Sequence, residues 1–328
     1  DDKKEEYRKY TAELSEATLI FGQNALAATN AFAINITNPA QVAELPDFVK
    51  EGLAAEAKAR GQKAGSDHRH RRQRPACHFM MYSSQRDIKE KLYRAYNSRA
   101  LGGEFDNSQI IRNITALRLK IANLLGYATH ADYILEERMA ESASNVNSFL
   151  EELRASTIDF AHKDYATISD YAHSKGLKDK LMPWDWAYYT EKYKSEKYAI
   201  NDEQVKPYLK LDNVIKGVFL LAEKLYGLSF VANDKIQVYH PDVTAYEVYD
   251  GKDLMAVLYL DFFPRESKRS GAWMTEFRGT KVVDGVETRP LVSLVMNFTK
   301  PTETTPSLLT FDEFTTFLHE FGHALHGM

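Results

Sequence analysis

Apolar residues recur at helical spacing along roughly the first two thirds of the chain, and this pattern constrains the fold more than any other feature. Tyr7, Tyr10, Leu14, Leu19 and Ile20 mark a helix over residues 5–29. Leu45-Pro46-Asp47 breaks the chain, and helical patterning resumes over 48–60 and 86–97. Asp106-Asn107-Ser108 offers a helix start for 110–125, with Gly126 as its stop. Residues 144–175 precede Gly176, an aromatic helix opens at Pro183, and 207–226 is closed by Gly227. Near Leu228 the period changes. Residues 236–240, 245–249, 254–262 and 291–298 read as strands, with turn signals at Asp250-Gly251 and Asp284-Gly285. Thr310-Phe311-Asp312-Glu313 then has the spacing of a capping box at the head of a last helix. The expectation is a mostly α fold with a small β-sheet, in three regions: helical over 1–227, the sheet over 228–300, and the start of a further helical region over 301–328.

Composition narrows the function. Lys and Arg number 42 against 46 Asp and Glu, a net charge of −4, which argues against a nucleic-acid binder. The single cysteine, Cys77, excludes an internal disulfide framework and a multi-cysteine metal cluster. No apolar run reaches the roughly 18 residues that would span a membrane. The opening Asp1-Asp2-Lys3-Lys4-Glu5-Glu6 reads as the inside of a charged helix, not a signal peptide. A cytoplasmic location is therefore expected. The periplasm stays open, because the beginning of the natural chain is expected to lie upstream. Residues 62–74 are basic and lack large apolar residues, and suit either a solvated loop or an anion-binding patch.

His319-Glu320-Phe321-Gly322-His323 carries the chemistry. Helix positions i and i+4 differ by about 40° in azimuth and about 6 Å in rise, so both imidazoles share one face. They can approach one Zn²⁺ ion, with Glu320 beside a zinc-activated water as its general base. Peptide-bond hydrolysis needs this combination: an acidified water, a polarised carbonyl and a carboxylate that passes the proton to the leaving amine. Gly322 in mid-helix costs about 1 kcal/mol relative to Ala, and is expected where something approaches the backbone closely. His326 shares the face and reads as a packing or hydrogen-bonding residue. Two helix histidines donating to carbonyls in an apolar core are the plain alternative.

The run from Phe317 to Gly327 resembles the active-site helix of the thimet oligopeptidase family of zinc metallopeptidases, in its oligopeptidase A and peptidyl-dipeptidase branch. Tyr259-Leu260-Asp261-Phe262-Phe263-Pro264-Arg265 through Gly271-Ala272-Trp273-Met274 is similar to the same branch, as are Asn297-Phe298, Leu124-Leu125-Gly126-Tyr127 and Trp184-Asp185-Trp186. The resemblance implies a zincin-like helical ellipsoid with a deep channel that admits short unstructured peptides and excludes folded proteins. It implies one zinc ion held by His319 and His323, Glu320 as general base, and either oligopeptidase or dipeptide-releasing carboxypeptidase activity. The strand at 291–298 would lie near the edge along which a peptide pairs, or would simply be core sheet. Arg265 and Trp273 would shape a loop near the cleft, with a structural ion pair as the other reading of Arg265.

Two departures follow from the resemblance. The family's third zinc ligand, a glutamate on the next helix, would lie beyond Met328. The chain is thus expected to be a fragment whose partner is the missing C-terminal part of the same enzyme. Residues 65–78 stand where the family has an apolar, aromatic passage. A shifted reading frame would explain this, and an intact mass matching the printed residues would sink the idea. The rival from another class is a non-catalytic helical peptide-binding or structural fragment. A cysteine peptidase on Cys77 and His78 is a more distant third.

Overall fold

A computed structural model describes residues 2–36, 38–59, 68–70, 73–199, 202–265, 267–301 and 305–328; the side chains of 35, 55–59, 68–70, 73–77 and 202–203 are not described. The chain forms two compact units, Asp1–Lys197 and Tyr198–Met328.

The first unit is nearly all helix: α1 (Asp2–Ala31), α2 (Ala40–Ala43), α3 (Asp47–Ala59), α4 (Gln73–Tyr82), α5 (Arg86–Asn97), α6 (Ser108–Leu124), α7 (His130–Leu135), α8 (Ala143–Ser174) and α9 (Pro183–Tyr198), whose last residue opens the second unit. Glycines stop two of these helices as expected: Gly126 and Gly176 adopt φ of 96° and 97°, left-handed values that avoid a Cβ penalty. The start of α6 differs in detail. Asp106, not the Asn107 cap, accepts from the Ser108 backbone N–H at 3.1 Å. Strands β1 (Ile34–Ile36) and β2 (His68–His70) pair antiparallel. Of the basic stretch 62–74, residues 62–67 and 71–72 lie outside the described residues, as does the Cys77 side chain. Ile36, Val42, Leu45, Val49, Leu53, Phe79, Ile88 and Leu92 form one core. The Trp-Asp-Trp motif is structural: Trp184 and Asp185 are buried, and Arg86 clamps Asp185 through Nε and Nη2, each at 3.0 Å.

The second unit holds the sheet. After α10 (Asp202–Val205) and a 3₁₀ turn at Lys206–Tyr208, α11 (Leu211–Tyr226) ends at Gly227, φ 75°. The expected single helix over 207–226 is thus interrupted, because Lys210 bridges to Leu308 before α11 begins. The strands are β3 (Leu228–Ala232), β4 (Val243–Asp250), β5 (Asp253–Asp261), β6 (Trp273–Arg278) and β9 (Leu291–Val295), with β7 (Lys281–Val283) and β8 (Val286–Thr288) as a separate hairpin. Asp284 and Gly285 both have positive φ, the requirement of the tight turn their sequence signals.

Residues 236–240 are not a strand. Ile236 and Val238 pack on the sheet through their side chains, while the backbone turns after Asn233, whose side chain accepts from the Lys235 N–H. The five strands run in the order β3-β4-β5-β9-β6. The 291–298 strand is therefore core sheet, one strand in from an edge. β9 lies inside the sheet, parallel to β5 and antiparallel to β6, and β6 is one edge, with β3 the other.

The pleat sorts β5. Ala256, Leu258 and Leu260 enter the core shared with Val214, Val218 and Ala222 of α11 and Phe317, Phe321 and Ala324 of α12 (Phe311–Gly327). Tyr259 faces the opposite side with Val243 and Ala245. Each aromatic buried in this way contributes about 2–3 kcal/mol, and Phe317 and Phe321 fix which face of α12 turns inward.

Candidate metal centre

The head of α12 is held as its sequence requires. Glu313 N–H donates to Thr310 Oγ1 at 3.1 Å and Thr310 N–H to Glu313 Oε2 at 2.8 Å, a reciprocal capping box. The other oxygen of the buried Glu313 accepts from Thr299 N–H at 2.9 Å and tethers the helix to the chain leaving the sheet. With the rotation set, Phe317 meets Phe262 edge-on at 5.2 Å and Phe321 lies 5.7 Å from Phe230. The opposite stripe, His319, Gly322, His323 and His326, is exposed. Burial in an apolar core, the plain alternative for the histidines, does not hold.

His319 and His323 come together. Their Nε2 atoms are 3.2 Å apart and the rings stand at 82°. Two nitrogens bound tetrahedrally at about 2.0–2.1 Å to one zinc would lie about 3.3–3.4 Å apart. The pair therefore fits a shared cation, and equally an N–H···N hydrogen bond when one ring donates. Glu320 stands at the rim between stripe and core, 8% exposed, and makes no ion pair among the described residues. Among the described residues no third His, Cys, Asp or Glu joins the two histidines in a group that could hold a metal.

Gly322 does not serve a close contact here. A Cβ placed on it meets nothing within 4 Å. Gly322→Ala is expected to stabilise the chain by about 1 kcal/mol through helix propensity, read as a raised midpoint of thermal unfolding. A lowered midpoint would show that the position is crowded after all.

Arg265 is a structural residue. Its guanidinium grips both oxygens of Asp261 at 2.9 Å, on the sheet face turned away from α12. Asp261 is fully buried and also receives Lys268 Nζ at 2.8 Å and the Tyr239 hydroxyl at 3.0 Å, while Tyr239 and Ser293 lie within hydrogen-bond distance. Burial pushes the Lys268 ammonium down to about 8, against the pull of Asp261. Trp273 is the first residue of β6 and lies under the Arg269 guanidinium at 4.9 Å. Asn297 Nδ2 donates to the carbonyls of Arg269 and Gly271 at 2.9 and 2.7 Å and pins the Gly-Ala-Trp loop at the start of the edge strand. Sequence reading missed Asp261, Lys268 and Tyr239 as a group. The only local signal was an aspartate at a strand end followed by cations four and seven residues on.

Residues 79–328 match peptidase family M3. Oligopeptidase A of Escherichia coli (strain K12) is 34% identical over 338 residues, covering 100% of this chain and 49% of that protein. The probable cytosolic oligopeptidase A of Arabidopsis thaliana is 35% identical over 342 residues, with the same coverage of each. Dipeptidyl carboxypeptidase of Escherichia coli (strain K12) is 33% identical over 325 residues, 96% of this chain and 46% of that one. The chain spans about half the length of the curated relatives it matches. The family match begins at Phe79.

Proposed function

The chain belongs to peptidase family M3, and from that premise we propose that it contributes two zinc ligands and the general base to a metallopeptidase acting on short, unstructured peptides. The observation that carries the reading is the exposed pair of imidazole nitrogens 3.2 Å apart, one residue from a rim carboxylate. When bound, a zinc ion at His319 and His323 would supply an acidified water and a polarised substrate carbonyl. The remaining steps belong to the chain. Glu320 takes the proton of the attacking water and delivers it to the leaving amine. The edge of β6 beside α12 offers backbone N–H and C=O groups to which an extended peptide can pair. The compartment proposed is the cytoplasm, as in the name of one Arabidopsis relative, the probable cytosolic oligopeptidase A, while a second Arabidopsis relative is named as chloroplastic or mitochondrial.

A catalytic zinc takes three protein ligands, and the chain gathers two among its described residues. We therefore propose that polypeptide outside the described residues supplies the third ligand and completes the site. The same count favours a second reading, a helical peptide-binding module without catalysis. Metal analysis after equilibration with zinc separates them. The expected result is one zinc per chain, lost in His323→Ala, with chelator-sensitive cleavage of a fluorogenic peptide once the third ligand is supplied. Zinc content indifferent to His323→Ala would overturn the metal site.

A further inference from the structure

The outer edge of β6 has no strand partner among the described residues. The pleat turns its Met274 and Glu276 toward α12: Met274 Cε and Glu276 Oε1 each lie 3.1 Å from where a Cβ would stand on Gly327. Glu276 Oε2 is equally close, 3.1 Å, to the same position on Gly279. The carboxylate thus occupies space that two glycines leave open, beside the helix that carries the histidines. It is exposed and forms no ion pair among the described residues. Arg278 Nε donates to the Arg289 carbonyl at 3.0 Å, and Arg278 forms no ion pair with Glu276 among the described residues. A register shift between Glu276 and Arg278 ends the regular ladder, which makes Glu276 the last acidic group on the straight part of the edge.

We infer that Glu276 is a specificity-determining residue that selects peptides carrying Lys or Arg at the position paired across from it on β6, and disfavours Asp or Glu there. The inference rests on the reading of β6 as the edge that receives peptide. Residues directly opposite on antiparallel strands bring their Cβ atoms to about 4.5–5.5 Å, where opposite charges attract and like charges repel. The site is solvent-exposed, so the effect is a few-fold and salt-sensitive.

Fluorescence anisotropy on the zinc-equilibrated chain tests this without requiring turnover. The probes are labelled octapeptides, identical except for Lys, Gln or Glu moved through successive positions. At one position the Lys peptide is expected to bind about fivefold tighter than the Glu peptide. That ratio should fall toward one in Glu276→Gln, invert in Glu276→Lys, and shrink in 1 M salt, where screening is short-ranged at about 3 Å. Each ratio is taken within a single variant, so a change in folded fraction does not mimic it. A ratio near one at every position in the unsubstituted chain, or a ratio unmoved by Glu276→Lys, overturns the inference. Cleavage of the same peptides without charge preference sinks this inference alone; charge-selective binding without cleavage under any pairing sinks the peptidase reading alone.

Discussion

Glu320→Gln in the zinc-loaded, active enzyme is expected to lower kcat by about 10²–10⁴-fold, the usual contribution of a positioned proton carrier, with zinc content unchanged. The amide is isosteric with the carboxylate and cannot take a proton from water. Nothing else should move. Glu320 makes no ion pair among the described residues, so the substitution breaks no buried charge pair, and His319 and His323 keep their places on the exposed stripe. KM should change little if the side chain acts on the proton and not on peptide binding. Steady-state kinetics with metal analysis on one preparation gives the answer. Near-normal turnover at full zinc would remove Glu320 from the base role, whereas loss of zinc would make it a ligand or a support. His323→Ala is the contrasting case, losing metal and activity together.

The site was legible in sequence because it is local. Two histidines four residues apart need only a helix to meet, and the Thr310–Glu313 capping box and the spacing of Phe317, Phe321 and Ala324 fix both the helix and its inward face. The edge strand was less legible. β6, Trp-Met-Thr-Glu-Phe-Arg, is half-exposed to exposed throughout, so it lacks the alternation of apolar and polar residues that marks a half-buried strand. β9 shows the reverse. Val292 and Leu294 are fully buried, which reveals a strand, but no local pattern states that its neighbours are β5 and β6 and that it is no edge. Residues 236–240 alternate like a strand because Ile236 and Val238 both need cover, and they find it by side-chain packing without a ladder. The Asp261 group joins positions 239, 261, 265, 268 and 293, and only the folded sheet brings them within reach.

That group should give the largest loss of stability in the chain. Asp261→Ala is expected to cost about 3–5 kcal/mol, the range for removing one partner of a buried charge pair, and to lower the unfolding midpoint by about 10–15 °C. Four donors converge on its two oxygens: both arms of Arg265, Lys268 Nζ and the Tyr239 hydroxyl. Lys268 suffers most from the loss. Its side chain is 2% exposed, and without the carboxylate it retains only the neutral carbonyls of residue 261 and Phe263, each at 2.9 Å. Lys268→Met should cost less, since Arg265 still neutralises Asp261 and the methionine fills most of the lysine's volume. The pH dependence has a definite sign. Burial alone would raise the Asp261 carboxyl, but its hydrogen bonds and charge pairing with Arg265 and Lys268 outweigh burial and hold it below the usual carboxylate range. The unfolded chain then binds the extra proton first. The stabilisation is present in full above the unfolded value of about 3.9 and is lost as pH falls through the folded value. Unfolding followed from pH 7 downward should show an acid limb that is shallower in Asp261→Asn than in the unsubstituted chain. Equal acid limbs would mean that Asp261 has the same affinity for protons folded and unfolded, and that its hydrogen bonds and charge pairs favour the ionised form no more than the neutral one.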